Sequence, residues 1–238
     1  MKKYLLSFTL VLAVLPVLAQ QVINDPNAEK RAVSSFHGID VSTGITLILT
    51  EGTTEEVAVS AATIEFRDKI VTKVENGILK IRYETKMGSI NKRKETKDLR
   101  AYVSYKTLDR LDVNTGAEVE IKGVLSSSSL TLKANTGGII KGKINITKLK
   151  VSQDTGSKIT LTGKAETLEV DGDTGSKFFG EELETTNCTA SAGTGAGITI
   201  TVNKELNAKA NTGGHIKYKG TAGIRDIKTN TGGSVSKI

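Results

Sequence analysis

Residues 149–161 read LKVSQDTGSKITL, and residues 168–180 read LEVDGDTGSKFFG. In both segments apolar and polar residues alternate on either side of an Asp-Thr-Gly-Ser turn. Alternation with a period of two residues is typical of β-strands that bury one face. The two segments therefore predict the same unit, strand, tight corner and strand, repeated after 19 residues.

The corner recurs along most of the chain. Seven Thr-Gly pairs form a regular series, 18 to 21 residues apart: Thr115, Thr136, Thr155, Thr174, Thr194, Thr212 and Thr231. A period near 20 residues is typical of a solenoid, in which each coil buries its apolar face against its neighbours. Four residues after each Thr stands a β-branched or aromatic residue suited to a buried strand: Val119, Ile140, Ile159, Phe178, Ile198, Ile216 and Val235. We predict an all-β fold, a right-handed parallel β-helix of about 19–20 residues per coil with almost no helix.

The residue before each Thr is the candidate functional position. It is Asn, Asp or Gly in every repeat: Asn114, Asn135, Asp154, Asp173, Gly193, Asn211 and Asn230. These residue types tolerate left-handed backbone geometry and cap turns through short side chains. The motif is therefore either corner chemistry repeated once per coil, which accounts for all its positions, or a binding ladder. If the chain has a ligand site, we expect it along the outward row of Asn114, Asn135, Asp154, Asp173, Asn211 and Asn230.

Two acids of this row would be neighbours in the stack. Asp154 and Asp173 would lie about 4.8 Å apart on adjacent strands, and carboxylates that close repel each other unless something compensates. Lys158 and Lys177 recur at the matching offset and are the expected compensation. A bound cation is the alternative, although calcium prefers more oxygen ligands than two stacked carboxylates offer. We predict no metal site.

The first part of the chain is organised differently. Lys2, Lys3 and an apolar core too short to span a bilayer precede Ala19, which predicts a signal peptide over residues 1–19. Residues 20–32 are expected to be a flexible leader and residues 33–238 a single β-helix domain, with less regular coils over 33–110 and regular repeats over 111–238. Asn76-Gly77 between alternating runs predicts a hairpin. We expect an exported protein, in the periplasm, on the outer-membrane surface or outside the cell.

Charge and composition limit the partners. The formal charge of +7 falls to +5 when Lys2 and Lys3 leave with the signal peptide, a mildly basic balance. The polar segment 85–98 is rich in Lys and is either a polyanion contact or a solvated loop. Nucleic acid is a poor candidate because the chain has no Trp and no interleaved aromatic and basic residues. Apart from the signal peptide, no apolar stretch reaches membrane length.

Motifs for catalysis are missing from the sequence. His37 and His215 are far apart, the lone Cys188 stands at an inward strand position, and no nucleotide or nucleophile motif occurs. Asp112, Asp154, Asp171 and Asp173 are the acids near the corners, without a spaced pair that stands out. We therefore predict a protein without catalytic residues or cofactors. A polysaccharide lyase or hydrolase on a β-helix scaffold is the alternative.

The last repeat stops at Ile238, shortly after Val235, with no amphipathic segment to cover the final coil. An exposed strand edge invites pairing with another chain. We therefore expect that a homo-oligomer could form through the C-terminal coil, which would also suit a structural component of the cell envelope.

Three segments carry a resemblance to a known family. FHGIDV at 36–41, the run Ile45–Thr50 and VENGILKI at 74–81, together with the recurring corners, resemble the putative auto-transporter adhesin head GIN domain. The resemblance covers residues 33–220 and implies an exported bacterial β-helix, common in Bacteroides-like organisms, without established catalytic residues. This chain has Thr-Gly corners where Ser-Gly is expected in many members. The predicted function is a non-enzymatic adhesion or binding module that presents repetitive faces to a glycan or a protein.

Overall fold

The computed structural model describes residues 25–84 and 96–238, and within them nearly all regular structure is β. The predicted signal peptide and most of the basic segment at 85–98 lie outside the described residues. The one described helix is the single turn α1 (Ile64–Arg67). The strands are β1 (Glu29–Arg31), β2 (Gly38–Val41), β3 (Thr46–Glu51), β4 (Glu56–Ser60), β5 (Ile70–Glu75), β6 (Ile78–Tyr83), β7 (Arg100–Tyr105), β8 (Arg110–Val113), β9 (Glu118–Ala134), β10 (Ile139–Gln153), β11 (Lys158–Gly172), β12 (Lys177–Ala192), β13 (Gly197–Ala210), β14 (His215–Lys219), β15 (Gly223–Thr229) and β16 (Ser234–Lys237).

The regular repeats stack as predicted. From β9 to β13 each strand pairs in parallel with the next, so equivalent residues of successive coils lie side by side. The chain forms a β-solenoid of about seven turns. The β-branched or aromatic residue four positions after each corner Thr is buried in six coils, and the seventh, Val235, is partly buried. Each of these side chains packs on its counterpart one coil away, because an in-register parallel stack places identical positions together.

The second bend of each coil has no separate connecting loop. The strands β9 to β13 are 14 to 17 residues long and run through this bend without a loop. Glycines with positive φ allow the turn: Gly163 has φ +104°, and a Cβ there would lie 2.1 Å from the carbonyl oxygen of Ile144. Only glycine fits such a close backbone approach. The β10–β11 ladder keeps its register through the bend, whereas the ladders β9–β10, β11–β12 and β12–β13 shift register near it.

The N-terminal end of the solenoid is closed by antiparallel strands. Residues 38–51 form a coil between two others, since β2 pairs with β6 and β8, and β3 pairs with β7 and β9. Beyond this coil β4 pairs antiparallel with β7, and β1 with β4. The Asn76-Gly77 hairpin is confirmed, because β5 and β6 are antiparallel and both turn residues have positive φ.

The C-terminal end is different. Within the described residues, β15 pairs only with β13, β16 pairs only with β14, and no strand lies beyond them. Ile224 and Ile227 stack on Leu206 and Ala208 but remain 51% and 38% exposed. Over the two described ranges no helix is long and apolar enough to cross a membrane.

Candidate functional site

Each Thr-Gly pair is the centre of a four-residue turn. The N–H of the fourth residue donates to the carbonyl of the first, as from Gly138 to Asn135 at 3.0 Å. At six regular corners both central residues are left-handed, with Thr φ of 43° to 52° and Gly φ of 68° to 75°, the signs of a type I′ turn. The left-handed residue at these corners is the Thr and not the preceding Asn or Asp, although a β-branched residue is strained there.

Three of the six Asn and Asp side chains cap their turns, those of Asn135, Asp154 and Asp173. Oδ1 of Asn135 accepts the N–H of Thr136 at 2.7 Å, and Oδ1 of Asp154 accepts the N–H of Thr155 at 2.6 Å. A short acceptor one residue earlier thus binds the amide of the strained Thr. These bonds also hold the side chains in defined positions on the surface.

The corner at Gly193 is built differently. Thr194 is not left-handed whereas Gly195 has φ +65°, the sign pattern of a type II turn. The N–H of Thr194 donates to Oδ1 of Asp173 in the preceding coil at 2.6 Å. A Cβ at Gly193 would lie 2.5 Å from this oxygen, so glycine makes room for the bridge between coils.

Backbone amides, not lysines, compensate the charge of Asp173. The N–H groups of Thr174 and Thr194 hold the pKa of the Asp173 carboxyl below its usual value, so it stays ionised at neutral pH. The expected compensation by lysines was wrong. Lys158 Nζ lies 5.1 Å from the ring centroid of Phe179, and Lys177 Nζ donates to the carbonyl of Gly195.

The six candidate residues form one outward row at the corners, interrupted at Gly193. Backbone hydrogen bonds between successive coils place them in order, and each is partly or fully exposed. An amide ladder forms at the C-terminal end, where Nδ2 of Asn230 donates to Oδ1 of Asn211 at 3.2 Å. In the part of the chain that the structure describes, no group of three or more His, Cys, Asp and Glu side chains could hold a metal ion.

A groove of about 360 Å³ runs beside four members of this row; we call it the corner groove. Its lining consists of Asp112, Asn114, Lys133, Ala134, Asn135, Ser152, Gln153, Asp154, Asp171 and Asp173. Sequence reasoning missed Gln153, which is 3% exposed at an inward position. The sequence did hold a signal for it, because Gln153 is a polar residue at a position where the alternation points inward. In the stack Gln153 lies between Ala134 and Gly172.

A second groove, of about 630 Å³, lies where the long strands bend; we call it the bend groove. Hydroxyl, amide and charged side chains line it over Ser126–Ser128, Asn145–Thr147, Lys164–Glu166, Glu184–Thr186 and at Asn203. No turn motif marks these residues, so the sequence analysis did not select them.

The remaining reactive side chains are far from one another. His37 is exposed with Nδ1 2.8 Å from Oδ1 of Asp109, whereas His215 contacts the carbonyl of Gly213. Cys188 is buried, and burial raises the pKa of its thiol to about 12. The predicted inward position of Cys188 is therefore confirmed.

Solved structures share this architecture. A "putative adhesin" from Bacteroides fragilis superposes with a TM-score of 0.76 at 19% identity, covering 89% of this chain and 96% of that one. A "putative adhesin" from Parabacteroides merdae gives 0.69 at 14% identity, over 89% and 95%. A "putative lipid binding protein" from Parabacteroides distasonis gives 0.64 at 15% identity, over 90% and 98%. At these identities the likeness shows the fold alone.

The sequence itself was also compared with known proteins. A search of the curated proteins finds no match. The profile of the family described as "Putative auto-transporter adhesin, head GIN domain" matches residues 35–222, which include strands β2 to β14 and six of the seven corners. The chain therefore belongs to this family, as its N-terminal segments and corners had suggested.

Proposed function

We propose that this chain is an exported, non-enzymatic adhesion module that binds a glycan or a protein through the row of Asn and Asp side chains at its corners. Family membership supports an adhesin-like role. One observation carries the proposed site: polar side chains repeat on hydrogen-bonded corners at every coil but one, and four of them line an open groove. A regular polar face of this kind suits recognition of a repetitive or extended ligand.

The state of Asp173 favours binding over catalysis. A glycoside hydrolase needs one carboxylic acid whose pKa is raised, so that it can protonate the leaving group. The backbone N–H bonds to Asp173 lower its pKa instead. Asp154 and Asp173 also stand on adjacent coils of one row, not on opposite walls of a cleft. Cleavage of a polysaccharide is the alternative function.

One experiment separates binding from cleavage. The purified full chain is incubated with immobilised polysaccharides and surface proteins from cell envelopes and hosts, and both retention and new chain ends are recorded. Retention without new ends is expected. New ends would make the acids near the corners catalytic suspects. The absence of both retention and new ends would favour a structural role.

The proposed location rests on the predicted signal peptide and on the family. We expect the chain in the periplasm, on the outer surface or in the medium. Protease treatment of intact and permeabilised cells, with detection of the chain in each fraction, distinguishes these locations. Recovery only with the cytoplasm would contradict export.

We further propose that the exposed last coil binds a second copy of the chain. In such a dimer the β15 strands of the two copies would pair antiparallel, with the two-fold axis between Arg225 and Asp226. Arg225 of one copy would then face Asp226 of the other, and Ile224 would face Ile227. The other end of the solenoid is closed, which favours a two-fold pair over an open filament. Sedimentation should show a dimer that Ile224→Lys abolishes; a monomer at high concentration would contradict it.

A further inference from the structure

The corner groove differs in charge from the chain as a whole. The chain carries a formal net charge of +7, yet four aspartates and a single lysine, Lys133, line the groove. Arg110 pairs with Asp112, one of these four aspartates, and Lys150 pairs with Glu169 outside the lining. Asp154, Asp171 and Asp173 therefore leave the groove with an excess of negative charge.

Two buried oxygens at this groove lack a donor. Asp112 is 7% exposed, and its Oδ2 accepts both bonds from Arg110, at 3.0 and 2.5 Å, while Oδ1 has no hydrogen-bond partner. Gln153 donates from Nε2 to the carbonyl of Lys177 at 3.0 Å, while its Oε1 has no partner. A buried acceptor left unpaired costs free energy. Gln153 stands at an inward position, whereas Asp112 stands at an outward one between the inward Leu111 and Val113. A ligand that supplied an N–H donor from the groove would therefore pair with Oδ1 of Asp112.

The lining also limits the class of ligand. None of the ten lining residues is aromatic, so the apolar face of a sugar ring finds no ring to stack on. Attraction here depends on charge and hydrogen bonds, which suits a ligand with cationic donors.

The length of the groove suits an extended peptide. Asp112, Lys133, Ser152 and Asp171 lie on four successive coils, a distance of about 14 Å at the usual strand spacing. An extended peptide covers that distance with about four residues. Alternate side chains of such a segment can therefore point to carboxylates of different coils.

We propose that the corner groove binds a basic peptide segment of a partner protein, with Lys or Arg side chains on Asp154, Asp171 and Asp173 and a further donor on Asp112. This inference rests on the proposed adhesion function and names the ligand for the same row. It selects a protein partner over a glycan.

The test uses substitutions that the fold already accepts. Asp154→Asn installs the residue that neighbouring corners carry at Asn135 and Asn211, and Asp171→Ser installs the residue at Ser152 and Ser191. The double variant removes two charges but keeps a turn-capping oxygen. The matched control, Glu166→Gln with Glu184→Gln, removes two charges from the bend groove instead.

Binding of the full chain to a short lysine homopolymer is measured by calorimetry at low and high salt, with a chitosan oligomer and its neutral acetylated form in parallel. We expect roughly tenfold weaker binding of the lysine peptide by the double variant, an unchanged control and loss at high salt. Unchanged unfolding midpoints would show that both variants are folded.

Each other outcome overturns a defined part of the proposal. Equally weakened binding of the lysine peptide by the control variant would show that the overall charge of the chain attracts the peptide and that the corner groove is not a specific site. Tighter binding of chitosan than of the lysine peptide would make the ligand an amino sugar. Binding of only the neutral acetylated oligomer, with the same affinity in the double variant, would overturn the peptide inference but keep the adhesion function. Failure to bind any surface ligand, including the panel above, would overturn both.

Discussion

The two ends of the solenoid solve the same problem in different ways. Every coil buries one apolar face against the next, so the first and last coils each have a face without a neighbour. At the N-terminal end, β4 runs antiparallel to β7 and covers its edge, and β1 in turn pairs antiparallel with β4. The inward residues Ile39 and Leu47 of the coil beneath are fully buried. At the C-terminal end the inward Ile224 and Ile227 remain exposed. Closing an end thus requires strands that leave the repeat pattern.

This difference should appear in local stability. A terminal coil that contacts one neighbour gains about half the interface of an internal coil, so it can open while the remainder stays folded. The predictions below compare positions in the coil 38–51, which lies next to the closed end and has a neighbour on each face, with positions in the last coil.

The largest contrast is expected in hydrogen exchange. Amides of β3 should exchange only through global unfolding, which in domains of this kind needs about 5–15 kcal/mol. Amides of β16 should exchange through opening of the last coil, which costs far less. Exchange followed by mass spectrometry or NMR on the full chain measures both. Equal protection of β3 and β16 would show that the last coil is covered in solution.

Truncation of one isoleucine at each end gives the next largest effect. Ile39→Ala at the closed end, where Ile39 is 0% exposed, should lower the free energy of unfolding by about 2–5 kcal/mol. Ile224→Ala, at a position 51% exposed, should lower it by less than about 1 kcal/mol. Urea denaturation measures both. A large loss at Ile224 would contradict the idea that this end is bare, and would support the proposed dimer.

Relief of backbone strain at the corners should be smaller and should also depend on the end. Thr43 and Thr231 both have positive φ, at 66° and 46°, which Asn tolerates better than Thr. Thr43→Asn should raise the free energy of unfolding by about 1 kcal/mol, and Thr231→Asn by less, because the last coil opens first. Thr194→Asn is the control, since Thr194 is not left-handed. A gain at Thr194 as large as that at Thr43 would exclude strain as the cause.

The smallest effect concerns an internal coil, where both faces are covered. Because the folded pKa of Asp173 lies below its ordinary value of 3.8, its contribution to stability is complete above that pH. It is lost as the pH falls through the lower, folded pKa. Asp173→Asn should therefore reduce the fall in the unfolding midpoint at acid pH. An unchanged acid profile would show that the two N–H bonds do not stabilise the fold.

Periodicity alone was enough to predict the repeating part of the fold. The row from Val119 to Ile216 and the Thr-Gly corners follow from alternation and spacing, since a strand buries every second residue and a type I′ turn needs Gly. The candidate row was placed on one outward corner for the same reason. Local patterns of this kind are readable because their causes lie within a few residues of the chain.

Other features depend on contacts between coils and could not be read from the chain. The placement of residues 38–51 between two later coils depends on which parallel edges meet, and no local signal encodes it. The left-handed Thr, the bridge from Asp173 to Thr194 and the unpaired oxygens of Asp112 and Gln153 each depend on the neighbouring coil. The alternation of residues thus determined the strands and corners, whereas stacking at one strand spacing decided the order of the coils and the chemistry of the groove.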